Sequence, residues 1–149
     1  AAADLAPFEV HILHPGRTLL EKLLRVNNFT VDPEGAGPHG WLRIGRQFYD
    51  WALLGDDAVQ ELLGQPDVVA DILASCYEIS EQFGGDQPVP EGGFANCRAF
   101  QADGPFRERL EAEHTSAMVD FYYGDDVAPT FADVLQRVHA ASDLLRCAA

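Results

Sequence analysis

A mainly α fold, a helical bundle entered by one short N-terminal strand, is what this sequence predicts, and three observations carry it. About six stretches read as helices, only one short stretch alternates with a period of two, and the joins between them are rich in Gly and Pro. At 149 residues and 47% hydrophobic content, the chain is near the size of one domain able to bury a sizeable core.

Residues 8–15, FEVHILHP, alternate Val10, Ile12 and His14 on one face with Glu9, His11 and Leu13 on the other. This is the period of a short strand, and Pro15 stops it. From Arg17 the spacing turns helical. Leu19, Leu20, Leu23 and Leu24 form an apolar face, Arg17, Glu21 and Arg25 make i,i+4 pairs beside it, and the helix is expected to end at Asn27 or Asn28. Residues 30–40, with their Pro and Gly, read as a loop.

A second helix is expected over residues 41–54, with Trp41, Phe48, Tyr49, Ala52 and Leu53 on its apolar side. Arg43, Arg46 and Asp50 share another face at i, i+3 and i+7. Gly45 weakens this helix by about 1 kcal/mol relative to Ala. A short helix follows, opened by Asp56 as N-cap and closed by Gly64. The next starts after Pro66 and keeps Val68, Val69, Ile72, Cys76, Ile79 and Phe83 in step until Gly84 and Gly85. Residues 84–104 read as a long surface excursion. Two closing helices face inward through Phe106, Leu110, Ala117, Met118 and Phe121, then through Phe131, Val134, Leu135, Val138 and Leu145. Thr130 and Asp133 form a capping box with Asp in place of Glu before the last helix.

The net charge is −14, so the surface as a whole repels nucleic acid at long range unless basic residues are gathered locally. They are gathered: residues 1–50 hold five Lys/Arg against six Asp/Glu, while residues 51–149 hold five Arg against eighteen acids. An anion-handling surface therefore belongs to the first third, with Arg17, Lys22, Arg25, Arg43 and Arg46. Cys76, Cys97 and Cys147 are scattered and odd in number, which argues against a disulfide framework or zinc knuckle and for a reducing compartment. No apolar run is long enough to span a membrane and the N-terminus lacks a signal-peptide pattern, so a cytoplasmic protein without membrane attachment is expected.

Lys22 is the only lysine in the chain. Its plain reading is a solvated charge on a helix flank. The sharper one is that it sits in the first turns of a helix after a strand, where free backbone amides and the helix dipole already favour a phosphate. Likewise, the plain reading of Arg46 and Asp50 is an i,i+4 surface pair worth a few tenths of a kcal/mol. Glu9, His11 and His14 do not converge on a metal, because His11 and His14 point to opposite faces of a strand. Cys97 has Arg98 beside it but no nearby histidine in sequence to activate it as a nucleophile.

Taken together, HPGRTLLEKLL and RIGRQFYDWALL resemble the paired signature of the AbiEii/AbiGii-type nucleotidyltransferase toxins. In that family an arginine-threonine, hydrophobic, glutamate-lysine-leucine helix precedes one with arginine, an aromatic residue and Tyr-Asp. FRERLEAEHTSAMVDFYYG and FADVLQRVHAASDLL resemble the family's closing helices, so the resemblance runs from about residue 10 to residue 146. It implies the C-terminal, helical part of a nucleotidyltransferase-fold α/β toxin from a toxin-antitoxin or abortive-infection system. The implied reaction moves a nucleotide from an NTP to an acceptor such as tRNA, with a cognate antitoxin as protein partner. By matching motifs, Lys22 contacts the nucleotide phosphates and Asp50 completes the active site, supported by Arg17, Glu21, Arg46 and Tyr49.

The same resemblance implies magnesium, bound by an Asp-x-Asp pair that follows a Gly-rich turn upstream of the strand at residues 8–14. Neither motif is in this sequence, and GDD at residues 55–57 and 124–126 reads as loop or cap. The chain alone is therefore expected to be inactive. The rival expectation is a non-catalytic helical interaction module whose acidic face, residues 51–149, binds a basic partner.

Overall fold

A computed structural model describes residues 14–124 and 127–147, without the side chains of Ala52 and Leu53. The fold is mainly α. Among the described residues there are seven α-helices and no strand: α1 Pro15–Val31, α2 Gly40–Gly45, α3 Asp57–Leu63, α4 Pro66–Ser80, α5 Arg98–Gln101, α6 Gly104–Phe121 and α7 Phe131–Ala140. Residues 8–13 of the expected strand lie outside the described residues. His14 is the N-cap of α1, its Nδ1 accepting a 3.0 Å hydrogen bond from the Gly16 N–H, and Pro15 occupies the first helical position, where its missing N–H costs nothing.

The α1 helix is the spine of the core. Leu19, Leu20, Leu23, Leu24, Val26 and Phe29 are buried along it, each worth about 1.5–3 kcal/mol of transfer free energy. It does not end at Asn27 or Asn28. Their side chains reach outward instead: the Asn27 amide donates to the Pro88 carbonyl at 3.0 Å, and Asn28 both donates to the Asp86 carboxylate and accepts from the Gln87 N–H, each at 2.7 Å. The helix runs on to Val31, and its C-cap Asp32, which precedes Pro33, is pushed out of the α region to φ −140°.

The second expected helix is broken. The α-helical part stops at Gly45, and residues 48–55 continue as a 3-10 segment, Phe48–Gly55. Gly45 lies against α6 so closely that an added Cβ would fall 2.5 Å from the Glu113 carbonyl oxygen. Beyond it, Phe48, Trp51 and Leu54 are buried at a spacing of three, a row that a three-residue turn keeps in line and a 3.6-residue turn would fan out. Trp41 packs edge-on against Phe29 and Phe106, with ring centroids 4.9 and 5.4 Å apart.

Helix α3 has the expected cap, Asp56 Oδ1 accepting from the Ala58 and Val59 N–H groups. In α4 the buried residues are Val69, Leu73 and Cys76. Val68, Ile79 and Phe83 face solvent, Phe83 at 84% exposure, so the inward stripe is rotated from the one its spacing suggested. Residues 84–104 are not a surface excursion. Residues 86–88 are tied to α1 by the asparagine bonds above, and Phe94, Ala95, Cys97, Ala99 and Phe100 are core residues. Gly93, at φ +107°, passes so near residues 145–146 that a Cβ would meet their backbone at 2.5 Å.

In α6 the core stripe is Leu110, His114, Ala117 and Met118, while Phe106 is half-buried and Phe121 is exposed. His114 fills the stripe position that an apolar residue would take, wedged between the Phe48 and Phe131 rings. Its Nε2 lies 2.8 Å from the Pro129 carbonyl, which can only accept, so the proton is on Nε2. Helix α7 buries Phe131, Val134 and Val138, with Leu135 half-buried, and Leu145 is buried just beyond its end.

Phe94→Ala is expected to cost about 3–5 kcal/mol in urea unfolding, the usual range for a fully buried Phe, and Phe83→Ala less than about 0.5 kcal/mol. Similar costs at both positions would mean that residues 84–104 do not thread the core as described.

The capping box at the start of α7 is complete: the Thr130 N–H donates to Asp133 Oδ2 at 2.9 Å, and the Asp133 N–H donates to Thr130 Oγ1 at 3.1 Å. Hydrogen bonding by Thr130, through its backbone N–H first and its side chain second, holds the Asp133 carboxyl below its ordinary value. A depressed carboxylate stabilises the fold above the ordinary value, and that contribution is lost as pH falls through the depressed folded value. Thr130→Ala should therefore raise the Asp133 pKa read by NMR titration, and its destabilisation should shrink as pH falls below the carboxylate range. A gap between the two melting curves that does not change with pH would remove the carboxylate from the cap.

Candidate functional site

Lys22 and Asp50 meet. The Lys22 ammonium forms an ion pair with Asp50 Oδ2, and both side chains are 22% exposed, so water reaches the pair without surrounding it. Burial holds the Lys22 ammonium below its ordinary value, and the Arg25 guanidinium adds to the depression. An ammonium with one N–H engaged by Asp50 keeps two donors for another acceptor.

Neither side chain is placed by a helix N-terminus. With α1 beginning at Pro15, Lys22 is its eighth residue, about 10 Å along the axis at 1.5 Å per residue and beyond the first turn, where dipole and free amides act. Lys22 is set instead by the buried leucines on both sides of it, Leu20 and Leu23. Asp50 is set by the 3-10 segment: Phe48 and Trp51 are locked in the core at 0% exposure, and of the two residues between them Asp50 is turned toward α1.

The four supporting residues divide. Arg17 pairs with Glu21 at 3.2 Å, as the i,i+4 spacing suggested, and its Nη2 reaches Ser75 Oγ on α4 at 3.4 Å, so this pair fastens α1 to α4. Arg46 makes no i,i+4 pair with Asp50, because the helix that would align them breaks at Gly45. Its guanidinium lies over the Phe121 ring, 4.2 Å from the centroid. Tyr49 is half exposed and meets Tyr122 edge-on at 5.7 Å. Arg46, Tyr49 and Asp50 thus stand in one short stretch beside the end of α6, with Lys22 brought in from α1.

A cavity of about 700 Å³ opens next to this stretch, between α1, α2 and the Gly84–Gly85 turn. Arg25, Arg43 and Arg46 line it, over apolar wall contributed by Phe29 and Ile44. Arg25 and Arg43 were legible as basic residues of the first third, but nothing in their spacing says that they share a cavity. Lys22 and Asp50 are not in its wall.

Among the described residues no group of three or more His, Cys, Asp or Glu side chains converges. Cys97 is buried with its Sγ 3.3 Å from Thr30 Oγ1, and burial pushes its thiol up, which is the wrong direction for a nucleophile. No helix among the described residues is long and apolar enough to cross a membrane. No protein-family model, curated protein or solved structure matches this chain.

A double-mutant cycle of Lys22→Met with Asp50→Asn is expected to give a coupling of about 1–2 kcal/mol in urea unfolding, between the values for exposed and for buried pairs. Coupling near zero would mean that the two side chains do not depend on each other.

Proposed function

We propose that this chain is the helical part of an AbiEii-type nucleotidyltransferase, in which Lys22 and Asp50 act as one unit on a nucleoside triphosphate. The observation that carries the reading is the ion pair itself. Two residues that the motif resemblance singles out, 28 positions apart in sequence, meet in a half-buried contact although the helix expected to carry Asp50 is not formed. Arg46 and Tyr49 stand next to the pair as supporting groups, and Arg17 and Glu21 hold α1 in position from the far side.

The chemistry follows from the charges. Transfer of a nucleotide from an NTP puts negative charge on the departing pyrophosphate, and a fixed cation at that place stabilises the transition state more than the ground state. Lys22 supplies the cation, and partial burial strengthens its field relative to a solvated lysine. Asp50 supplies the orientation: it keeps the ammonium charged and aimed, so little reorganisation is needed as the charge develops. The acceptor that the resemblance suggests is one such as tRNA, attacking through a hydroxyl, and a cognate antitoxin is the protein partner that it suggests.

In the complete gene product, supplied with labelled NTP and bulk tRNA, Lys22→Ala and Asp50→Ala should each lower label transfer by about 10²-fold or more, the usual cost of removing a group that meets developing charge. The helical circular-dichroism signal should stay. Full transfer in either variant sinks the assignment. If no NTP supports transfer and none shifts the melting temperature of the wild type, the acidic interaction module takes precedence.

A further inference from the structure

We infer that the cavity between α1, α2 and the Gly84–Gly85 turn is a phosphate-binding site, separate from the Lys22–Asp50 pair, that takes a ligand carrying a run of phosphate groups. The inference goes beyond the nucleotidyltransferase reading and does not depend on it.

Charge accounting comes first. The chain has ten basic residues against twenty-four acids, yet three of the ten, Arg25, Arg43 and Arg46, line one cavity of about 700 Å³. Of the other cations, Arg17 pairs with Glu21, Lys22 with Asp50 and Arg146 with Asp143, Arg98 and Arg109 lie over the Phe106 and Trp41 rings as Arg46 lies over Phe121, and Arg107 and Arg137 stand outside the cavity. Among the described residues no carboxylate lies within ion-pair distance of Arg25, Arg43 or Arg46. The one carboxylate in the cavity wall, Asp32, is engaged by the Gly35 N–H at 3.0 Å. Three cations against one carboxylate on one concave surface of an acidic protein leave a net positive local field that a multiply charged anion relieves.

The choice of anion follows from the donors. Guanidinium forks match phosphate oxygens two at a time, and several phosphates in a row can satisfy three forks that a lone carboxylate cannot. The cavity is in the size range of small-molecule sites, and its apolar side, with Phe29 and Ile44, leaves room for the body of the ligand. The wall is also firm. Arg25 is on the long buried helix, Arg43 on α2 with Gly45 clamped against α6, and Arg46 is seated on Phe121. The phosphates can come from a free polyphosphorylated small molecule or from the phosphodiesters of a single strand.

The test is calorimetric titration of this chain with inorganic tripolyphosphate and, separately, with a short uridine oligonucleotide. Arg25→Gln and Arg43→Gln should each weaken tripolyphosphate binding about tenfold, the loss of one charge-assisted contact, whereas Arg137→Gln, exposed on α7 and outside this cavity, should leave it within about twofold. Arg25 and Arg43 are exposed, so circular-dichroism melts matched to wild type are expected. Oligonucleotide binding whose salt dependence falls in Arg43→Gln assigns the phosphates to a strand; tripolyphosphate binding alone assigns them to a free ligand. The inference is overturned if neither probe binds the wild type, if affinity is kept in Arg25→Gln and Arg43→Gln, or if a polyglutamate peptide binds more tightly than tripolyphosphate. Nucleotide transfer is not read, so failure here leaves the nucleotidyltransferase proposal standing, and the converse holds as well.

Discussion

Phe48, Trp51 and Leu54 are withdrawn from water along residues 48–55, and a backbone can hold three such side chains in one row only by turning once every three residues. The 3-10 geometry of this segment is therefore a consequence of burial, since such turns are poorer in hydrogen-bond geometry than α-helix and need tertiary contacts to persist. The contacts are dense. Phe48 meets Trp51, Phe100, His114 and Phe131 edge-on, which ties α1's neighbour to α5, α6 and α7 through one ring. Loosen that row, and both the closing helices and the placement of Asp50 lose their reference.

Gly45 is the other half of the same constraint. Without a Cβ, α2 lies against the backbone of α6, and the chain leaves this close crossing in a direction that sends Phe48 into the core. An α-helix through residues 41–54 would have kept Arg46 and Asp50 one turn apart as a surface pair. Breaking it frees Arg46 to stack on Phe121 and turns Asp50 toward α1. The ion pair with Lys22 is thus long-range in sequence and is produced by packing, not by local helix geometry.

How much of this could be read from the sequence depended on whether the signal was local. The α1 face was legible because Leu19, Leu20, Leu23 and Leu24 repeat at helical spacing, and the α3 cap and α7 capping box because Asp56, Thr130 and Asp133 act on backbone N–H groups within three residues. The end of α1 was not, because Asn27 and Asn28 are ordinary helix-stop residues whose amides here serve residues 86–88, and no local pattern announces that. Residues 84–104 were misread for the same reason: their Gly and Pro are true turn signals, but Phe94 and Phe100 between them are buried by elements far away in sequence. Residues 48–54 were ambiguous in principle, since over seven residues the periods 3.0 and 3.6 select overlapping apolar sets, and Phe48 belongs to both. For the candidate site, Lys22 and Asp50 were reached only through motif resemblance, and the convergence of Arg25 with Arg43 and Arg46 needed the tertiary fold.

Lys22 and Arg25 are consecutive contributions of one helix face region, three residues and about 4.5 Å of axial rise apart. The first leans toward the 3-10 segment and the second toward the cavity, so α1 supplies a cation to each of two neighbouring places. Because Arg25 depresses the Lys22 ammonium, the two places are electrostatically joined. An anion that neutralises Arg25 removes part of that depression and strengthens the proton affinity of Lys22. Linkage requires the reverse as well: a charged Lys22 strengthens the hold of the cavity on its anion by the same free energy. The acidic remainder of the chain sets the background against which both act, since a net charge of −14 would otherwise keep anions away from any surface not locally positive. On the phosphate-site proposal, Arg25, Arg43 and Arg46 beside the single lysine are the local exception to that background.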